Sequence, residues 1–337
     1  MNLFITGAAG FIGSNFVDYL MKTYPDYKVK VYDALTYAGN IENLDHLRSN
    51  PNFEFAHKDI RSMRDVTDNL DEGSTIIHFA AESHVDRSIM GADDFVTTNV
   101  NGTFTLLEAA KKKNVKLFIH ISTDEVYGSI KDGSFFETSP LNPSSPYSAS
   151  KASSDLLALS YHITYGMPVI VTRSSNNYGP YQYPEKVIPL FITNAMEDKP
   201  LPLYGEGLNV RDWLYVEDNC KAIDAVLHKG KPGNVYNIGA GYEESNIDIT
   251  YTILDIMKKP ESLIKKVPDR LGHDFRYSIN FDKLKALGWR PENDFKTGIK
   301  KTIEWYINNE KWWKKIKEKN EEYKKFSEKY YVEGLRR

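Results

Sequence analysis

The first 23 residues place a glycine-rich loop between a short apolar segment and a longer amphipathic one. Leu3–Thr6 has the composition of a buried strand, and Phe11–Thr23 has the apolar spacing of a helix. Gly7 and Gly10 lie between these two segments, and Gly13 lies within the second. Glycines at such a junction permit a tight turn and let backbone N–H groups approach a pyrophosphate at the start of a helix. A dinucleotide site is therefore predicted at this end of the chain.

The alternation of short apolar and longer amphipathic segments continues through the first half of the chain. Further strands are predicted over Val29–Asp33, Phe53–Ala56, Thr75–Ala80, Val115–Ser122 and Pro168–Arg173, and a further helix over Asp94–Lys113. Such alternation, with nearly continuous apolar strands, is typical of a parallel sheet covered by helices on both faces. We predict an α/β protein, with a Rossmann-type doubly wound parallel sheet and a smaller α/β C-terminal domain.

Composition excludes several classes of function. A formal net charge of −3 gives no support for nucleic-acid binding. The single cysteine, Cys220, cannot form an internal disulfide and suits a reducing compartment. The eight histidines and this cysteine lack metal-ligand spacing, so no metal site is predicted. With no long apolar run and no basic-apolar leader pattern, we expect a cytoplasmic protein that does not bind membranes.

Asp33 indicates which dinucleotide the loop binds. It ends the second predicted strand, twenty residues after Gly13. A carboxylate there accepts hydrogen bonds from a ribose 2′-hydroxyl and repels a 2′-phosphate, which favours NAD over NADP. The alternative is that Asp33 is only a turn residue.

Two short motifs carry the predicted chemistry. Tyr147 and Lys151 are four residues apart at the start of a helical segment and so share a helix face. A nearby ammonium lowers the pKa of a phenol, which is otherwise near ~10. Asp124 and Glu125, after Thr123, follow a buried strand and form an acid pair. The alternatives are a surface Tyr-Lys pair and a turn that merely uses two carboxylates.

Longer motifs narrow the prediction. DALTYAGN, FAAESHVDRS, STDEVYG, SNNYGPYQYPEK, LYGEGLNVRDWLYVED and DRLGHDFRY, taken with the motifs above, resemble the dTDP-glucose 4,6-dehydratases of the extended short-chain dehydrogenase/reductase family. The resemblance runs from residue 1 to roughly residue 313. It implies oxidation of a hexose at C4, loss of water across C5 and C6, and return of the hydride to C6. The product feeds deoxysugar synthesis, such as that of rhamnose.

The resemblance also implies roles for individual residues. Tyr147 is the base for the C4 hydroxyl, and Lys151 tunes it and holds the nicotinamide ribose. Thr123 hydrogen-bonds the same hydroxyl, Glu125 removes the C5 proton, and Asp124 protonates the leaving C6 hydroxyl. An elimination needs this additional pair, whereas a simple epimerisation does not.

Binding residues are carried over in the same way. The residues predicted to contact the cofactor, besides Tyr147 and Lys151, are Gly7, Gly10, Phe11, Ile12, Gly13, Asp33, Ala34, Leu35, Thr36, Asp59, Ile60, Phe79, Ala80, Ala81, Ser83, Thr98 and Asn177. Those predicted to contact the substrate are Ser83, Thr123, Asn176, Lys186, Val187, Pro202, Leu203, Tyr204, Arg211, Asn246, Asp269, Arg270, His273 and Tyr277. The planar donor fork of Arg211 suits a diphosphate.

Domain organisation follows from these assignments. Residues 1–175 are expected to form an NAD-binding Rossmann domain with the catalytic residues. Residues 176–313 are expected to be mainly a nucleotide-sugar domain, with some chain returning to the first, and residues 314–337 a charged helix. The resemblance implies a homodimer through Asp94–Lys113 and Ser148–Tyr165.

Other functions stay open: the same chemistry on UDP-glucose or another nucleotide hexose, a nucleotide-sugar epimerase or decarboxylase, or a non-catalytic sensor.

Overall fold

The computed structural model describes residues 1–319 together with Glu321 and Lys324. Its strands are β1 (Asn2–Thr6), β2 (Lys28–Asp33), β3 (Phe53–His57), β4 (Thr75–His78), β5 (Leu117–Thr123), β6 (Val169–Ser174), β7 (Asn176–Tyr178), β8 (Leu201–Tyr204), β9 (Val210–Tyr215), β10 (Val235–Ile238), β11 (Glu243–Ser245) and β12 (Ile264–Val267). Seven of them form one parallel sheet in the order β3-β2-β1-β4-β5-β6-β10. This order is that of a doubly wound nucleotide-binding sheet, so the predicted fold class is confirmed.

Helices cover both faces of this sheet. The α-helices of the described residues, including those of the second layer, are α1 (Phe11–Thr23), α2 (Met63–Asn69), α3 (Val85–Met90), α4 (Asp93–Phe95), α5 (Thr103–Lys112), α6 (Pro146–Tyr165), α7 (Val187–Met196), α8 (Val216–Lys229), α9 (Asn246–Met257), α10 (Asp282–Lys285), α11 (Phe295–Asn308) and α12 (Glu310–Lys319). The first helix has the predicted bounds. Apolar clusters on the two faces bury Ile5 and Phe4 from alternate sides of β1. Burial on both faces explains why the strands read as apolar runs.

The predicted helix Asp94–Lys113 is present, but its hydrogen bonding changes along its length. A π-helical segment, Val96–Gly102, joins α4 to α5. Asn99 lies in this segment and is buried. Its side chain accepts from the backbone N–H of Glu82 at 2.8 Å and donates to Ser150 Oγ at 2.8 Å. Through Asn99, the π-helical segment thus links the loop that follows β4 to α6.

A second layer of structure is built mainly from the later part of the chain. A three-stranded sheet, β11-β9-β7, and a two-stranded sheet, β12-β8, pack with α7, α9 and α11 around a separate apolar cluster. The chain returns to the first layer at two points: α8 packs on α1, and β10 pairs with β6. The C-terminal helix predicted over residues 314–337 is described as helix only to Lys319; most of that range lies outside the described residues.

Candidate active site

The glycine-rich loop lies against the end of β4. Gly7 has φ +71°, a conformation that favours glycine, and a Cβ there would come 2.4 Å from the Cα of Ala80. A Cβ on Gly13 would come 2.6 Å from the Cα of Ala8. Any side chain at either position would therefore displace backbone. The loop is held in the compact form that exposes N–H groups at the start of α1.

Asp33 is placed at the end of β2, beside this loop. Its carboxylate accepts hydrogen bonds from the backbone N–H of Ala9 at 2.9 Å and of Leu35 at 2.8 Å. Burial raises the pKa of Asp33, and these two N–H donors lower it. An ionised carboxylate has about four acceptor positions, so two are left for ribose hydroxyls. Asp33 is thus more than a turn residue: it also fixes the glycine-rich loop.

A cleft runs from this loop along the carboxyl ends of the strands. Of the predicted cofactor contacts, all but Leu35 and Asn177 line it. The amide of Asn177 instead donates to the carbonyl of Ser175 at 2.9 Å. Additional lining residues that were not predicted to contact the cofactor are Tyr32, Tyr37, Ala38, Gly39, Arg61, Glu82, Ile121, Ser122, Gln182, Tyr183, Glu185 and Lys186, of which Lys186 was predicted to contact the substrate. The combination of a backbone-only cradle with an acid on β2 fits NAD.

Local sequence fixes where Tyr147 and Lys151 lie. Ser145 caps α6 in a reciprocal capping box with Ser148, and Pro146 occupies the first turn. Both Tyr147 and Lys151 are buried and line the cleft. The ammonium of Lys151 donates to the carbonyl of Ile121 at 2.7 Å. Burial lowers the pKa of Lys151 to about 8, opposed by the charge of Asp155.

The phenol of Tyr147 does not behave as its spacing from Lys151 suggests. Burial raises its pKa, and the neighbouring Glu125 carboxylate raises it further. A hydrogen bond with Thr123 acts in the opposite direction. With protein groups alone around it, the phenol therefore keeps its proton at neutral pH. Burial is the largest influence on the pKa of Tyr147, and the lowering expected from Lys151 is not found.

The acid pair lies in a 3₁₀ turn, Asp124–Tyr127, directly after β5. Thr123 caps this turn, accepting from the Glu125 N–H at 3.2 Å and donating to Asp124 Oδ1 at 3.3 Å. Asp124 Oδ2 is buried without a hydrogen-bond partner among the described residues. Thr123, and not the two carboxylates, therefore caps the turn.

The two carboxyl groups have different surroundings. Burial, then the charges of Glu125 and Asp212, raise the pKa of Asp124 well above its ordinary value. Burial also raises the pKa of Glu125, but Arg270, Lys186 and Arg211 lower it. Environments that make the pKa values of two carboxyl groups differ favour one protonated and one ionised member. The pair is arranged to supply one acid and one base.

A second cleft opens beside Glu125 and shares Glu185 and Lys186 with the first. The predicted substrate residues that line it are Asn176, Lys186, Val187, Pro202, Leu203, Tyr204, Arg211, Asn246, Arg270, His273 and Tyr277. Ser83 lines the first cleft instead, and Thr123 and Asp269 line neither. Additional residues of this cleft that were not predicted are His84, Val85, Asp86, Glu185, Leu190, Phe191 and Trp213.

Positive charge in the second cleft is held in place by backbone and aromatic groups. Lys186 donates to the carbonyl of Ser83 at 2.9 Å, and Arg211 donates to that of Asp274 at 2.9 Å. The Arg211 guanidinium also lies over the ring of Tyr277, at 4.2 Å from its centroid. With Arg270 they make three cations fit for a diphosphate. Among the described residues, no acid, His and Cys group could hold a metal, and no helix could cross a membrane.

Comparisons with known proteins agree with this geometry. The sequence model of the family described as GDP-mannose 4,6 dehydratase matches residues 4–302. The low-salt glycan biosynthesis protein Agl12 of Haloferax volcanii is 51% identical over 310 residues, which are 92% of this chain and 100% of that protein. A dTDP-glucose 4,6-dehydratase of Streptomyces antibioticus is 50% identical over 325 residues, covering 95% of this chain and 96% of that protein.

A solved structure gives the same result in three dimensions. DesIV, a dTDP-glucose 4,6-dehydratase from Streptomyces venezuelae with NAD and TYD bound, superposes with a TM-score of 0.92 at 51% identity. The match covers 94% of this chain and 100% of that chain. The chain therefore belongs to the GDP-mannose 4,6 dehydratase family, and its resemblance to the dTDP-glucose 4,6-dehydratases within the short-chain dehydrogenase/reductase fold is confirmed.

Proposed function

We propose that this protein is an NAD-dependent dTDP-glucose 4,6-dehydratase, which converts dTDP-glucose to the 4-keto-6-deoxy sugar nucleotide. One observation carries the proposal: buried Asp124 and half-buried Glu125, whose surroundings differ, lie in one turn in the same region as Tyr147 and Lys151. Oxidation and reduction alone need no such pair, whereas elimination of water needs an acid and a base together.

The reaction divides among the residues of the site. NAD, when bound, supplies the hydride acceptor for C4 and the hydride for C6, and its positive nicotinamide favours a nearby phenolate. Tyr147 takes the proton of the C4 hydroxyl, which Thr123 also holds by a hydrogen bond. Lys151, positively charged up to a pKa of about 8, supports the phenolate and the nicotinamide ribose.

Elimination uses the acid pair. A 4-keto group makes the C5 proton acidic, and Glu125, ionised beside three cations, removes it. Asp124, which keeps its proton because burial raises its pKa, gives that proton to the C6 hydroxyl, and water leaves. The hydride then returns to C6 and a proton to C5. The protein thereby uses its redox chemistry to make an otherwise poor elimination possible.

Substrate binding is proposed to follow the two clefts. Lys186, Arg211 and Arg270 would bind the diphosphate, and the wall that contains Pro202, Leu203 and Tyr204 would cover the nucleoside. Residues 1–175 would then form the NAD-binding domain with the catalytic groups, and residues 176–313 mainly the nucleotide-sugar domain. We further propose a cytoplasmic homodimer that serves deoxysugar synthesis, such as that of rhamnose.

The test is an end-point assay of the purified protein with dTDP-glucose and UDP-glucose in parallel, without added reductant. The 4-keto product is read from its absorbance in alkali. We expect product from dTDP-glucose. Product from UDP-glucose alone would keep the mechanism and overturn the substrate, and a 4-epimer without loss of water would favour an epimerase. NAD binding with no turnover of either compound would favour a sensor or another hexose nucleotide.

A further inference from the structure

We propose that helix α12 is a strap across one edge of the cofactor cleft, and that Trp312 on this helix is a positioning residue that retains NAD. The inference rests on the proposed function, because it assumes that NAD is the ligand of the cleft. The match to the family's sequence model ends at residue 302, so the strap, Glu310–Lys319, lies beyond the matched range.

A chain of three hydrogen bonds joins the strap to the glycine-rich loop. The indole N–H of Trp312 donates to Asn43 Oδ1 at 2.9 Å. The amide of Asn43, which is 1% exposed, donates to the carbonyl of Ala9 at 3.0 Å. The N–H of Ala9 in turn donates to the carboxylate of Asp33 at 2.9 Å. The strap is thus connected to the two features that fit a dinucleotide, the loop backbone and the acid on β2.

The same helix also contacts the opposite wall of the cleft. The Trp312 ring lies edge-on to Tyr181, with 6.1 Å between centroids. Tyr181 has φ +65°, unusual for a residue with a side chain, and it precedes Gln182 and Tyr183, which line the cleft. Ile316, one turn after Trp312, is buried against Tyr183 in a cluster that includes Tyr37 and Ala38. The strap therefore packs against both walls of the cleft, the one with Tyr37 and Ala38 and the one with Tyr183.

Further contacts fix the strap from both sides. Lys315 pairs with Glu42, next to Asn43, in the first layer. Lys317 pairs with Glu197 at 2.6 Å and donates to Asn194 at 2.9 Å in the second layer. Trp313 is fully buried in the apolar cluster of the second layer. Opening the cleft at this edge requires these contacts to break, so the strap opposes release of a bound dinucleotide. Retention is useful here because the proposed reaction returns the cofactor to its starting state in every turnover.

The test compares Trp312→Phe with wild-type protein in the full chain. Phenylalanine keeps an aromatic ring but lacks the N–H that Asn43 accepts. One hydrogen bond is worth enough to change an equilibrium several-fold. We expect NAD to dissociate about five-fold faster, measured by chasing labelled NAD with unlabelled NAD. Lys311→Ala, an exposed position of the same helix, is the matched control and should leave the rate unchanged.

Further readouts separate positioning from a general loss of stability. Saturating NAD should restore the turnover rate of Trp312→Phe, because no reacting group is altered. Asn43→Ala should give a similar increase, and the double variant should be no worse than Asn43→Ala alone, since both break one chain of hydrogen bonds. Ile316→Ala tests the apolar half of the strap and should also speed release.

Three results would overturn the proposal. The first is an unchanged rate of NAD release in both Trp312→Phe and Ile316→Ala. The second is a loss of activity in folded Trp312→Phe that saturating NAD does not restore. The third is wild-type protein that binds no NAD, which would overturn the proposed function together with the strap; normal binding with unchanged release in the variants would overturn the strap alone.

Discussion

At the scale of single residues, the acid pair makes a prediction that separates its two members. Glu125→Gln removes the base, so exchange of the C5 proton with solvent should be lost. Asp124→Asn leaves that base intact, so exchange should continue while loss of water stops. Each variant should lower the rate of product formation by about 100-fold or more, the usual contribution of a positioned acid or base. Exchange is measured by mass spectrometry in heavy water, and dehydration by the alkaline absorbance.

The control for this pair is Glu304→Gln, the same isosteric change at an exposed position of α11. It should leave both readouts unchanged. In wild-type protein the rate should fall at low pH as Glu125 gains a proton, above the pH of an ordinary glutamate because burial raises its pKa. It should fall at high pH as Asp124 loses its proton. Full C5 exchange in Glu125→Gln would contradict the assignment.

Sequence reasoning at this scale found the groups but not all of their surroundings. The order Thr123, Asp124, Glu125 after a strand predicted a reactive turn, and the turn is there. The spacing of Tyr147 and Lys151 did not predict that burial would raise the pKa of Tyr147, because burial depends on contacts that spacing does not reveal. Asp86 was missed for a similar reason: it lines the second cleft only because α3 folds towards Tyr204 and Arg270.

At the scale of elements, the start of α6 makes the next prediction. Ser145 and Ser148 satisfy each other's backbone N–H groups two residues before and one after Tyr147, so the cap fixes the tyrosine as well as the helix. Ser145→Ala should lower the free energy of unfolding by about 1 kcal/mol. Turnover should fall more than sugar binding, because the reacting phenol is misplaced.

The matched control is Ser153→Ala, an exposed serine on the same helix. It should change neither thermal stability nor turnover. Calorimetry and steady-state kinetics measure the two effects. Equal behaviour of the two serine variants would mean that the cap does not position Tyr147.

The elements themselves were largely predictable because their signals are local. Apolar runs gave the strands of the main sheet, and α1 begins after the glycine that permits its turn. The π segment Val96–Gly102 was not predictable, since the buried amide of Asn99 that it serves finds its partners in two distant segments. The pairing of β10 with β6 is equally non-local, although a return of later chain to the first layer was expected.

At the scale of the whole molecule, α6 has two faces of different character. One carries Tyr147 and Lys151 inward. The other is an exposed stripe of small and apolar residues: Ala149, Ser153, Leu156, Ser160 and Ile163. Leu156 is 60% and Ile163 82% exposed, and Phe104 on the adjacent α5 is 46% exposed. Such a continuous surface is typical of an interface, which supports the proposed homodimer through these helices.

Leu156→Glu should convert this dimer to a monomer. A two-fold interface contains the position twice, and each buried leucine contributes about 1.5–3 kcal/mol, so the dissociation constant should rise by about 100-fold or more. Sedimentation at micromolar concentration measures it. Ile307→Glu, at a 52% exposed position of α11 outside this stripe, is the control and should stay dimeric. If wild-type protein sediments as a monomer, or if Leu156→Glu and Ile307→Glu dissociate alike, the stripe is not the interface. If the monomer forms but its turnover collapses, the inward face of α6 depends on the outward one, and the dimer is part of how Tyr147 is held.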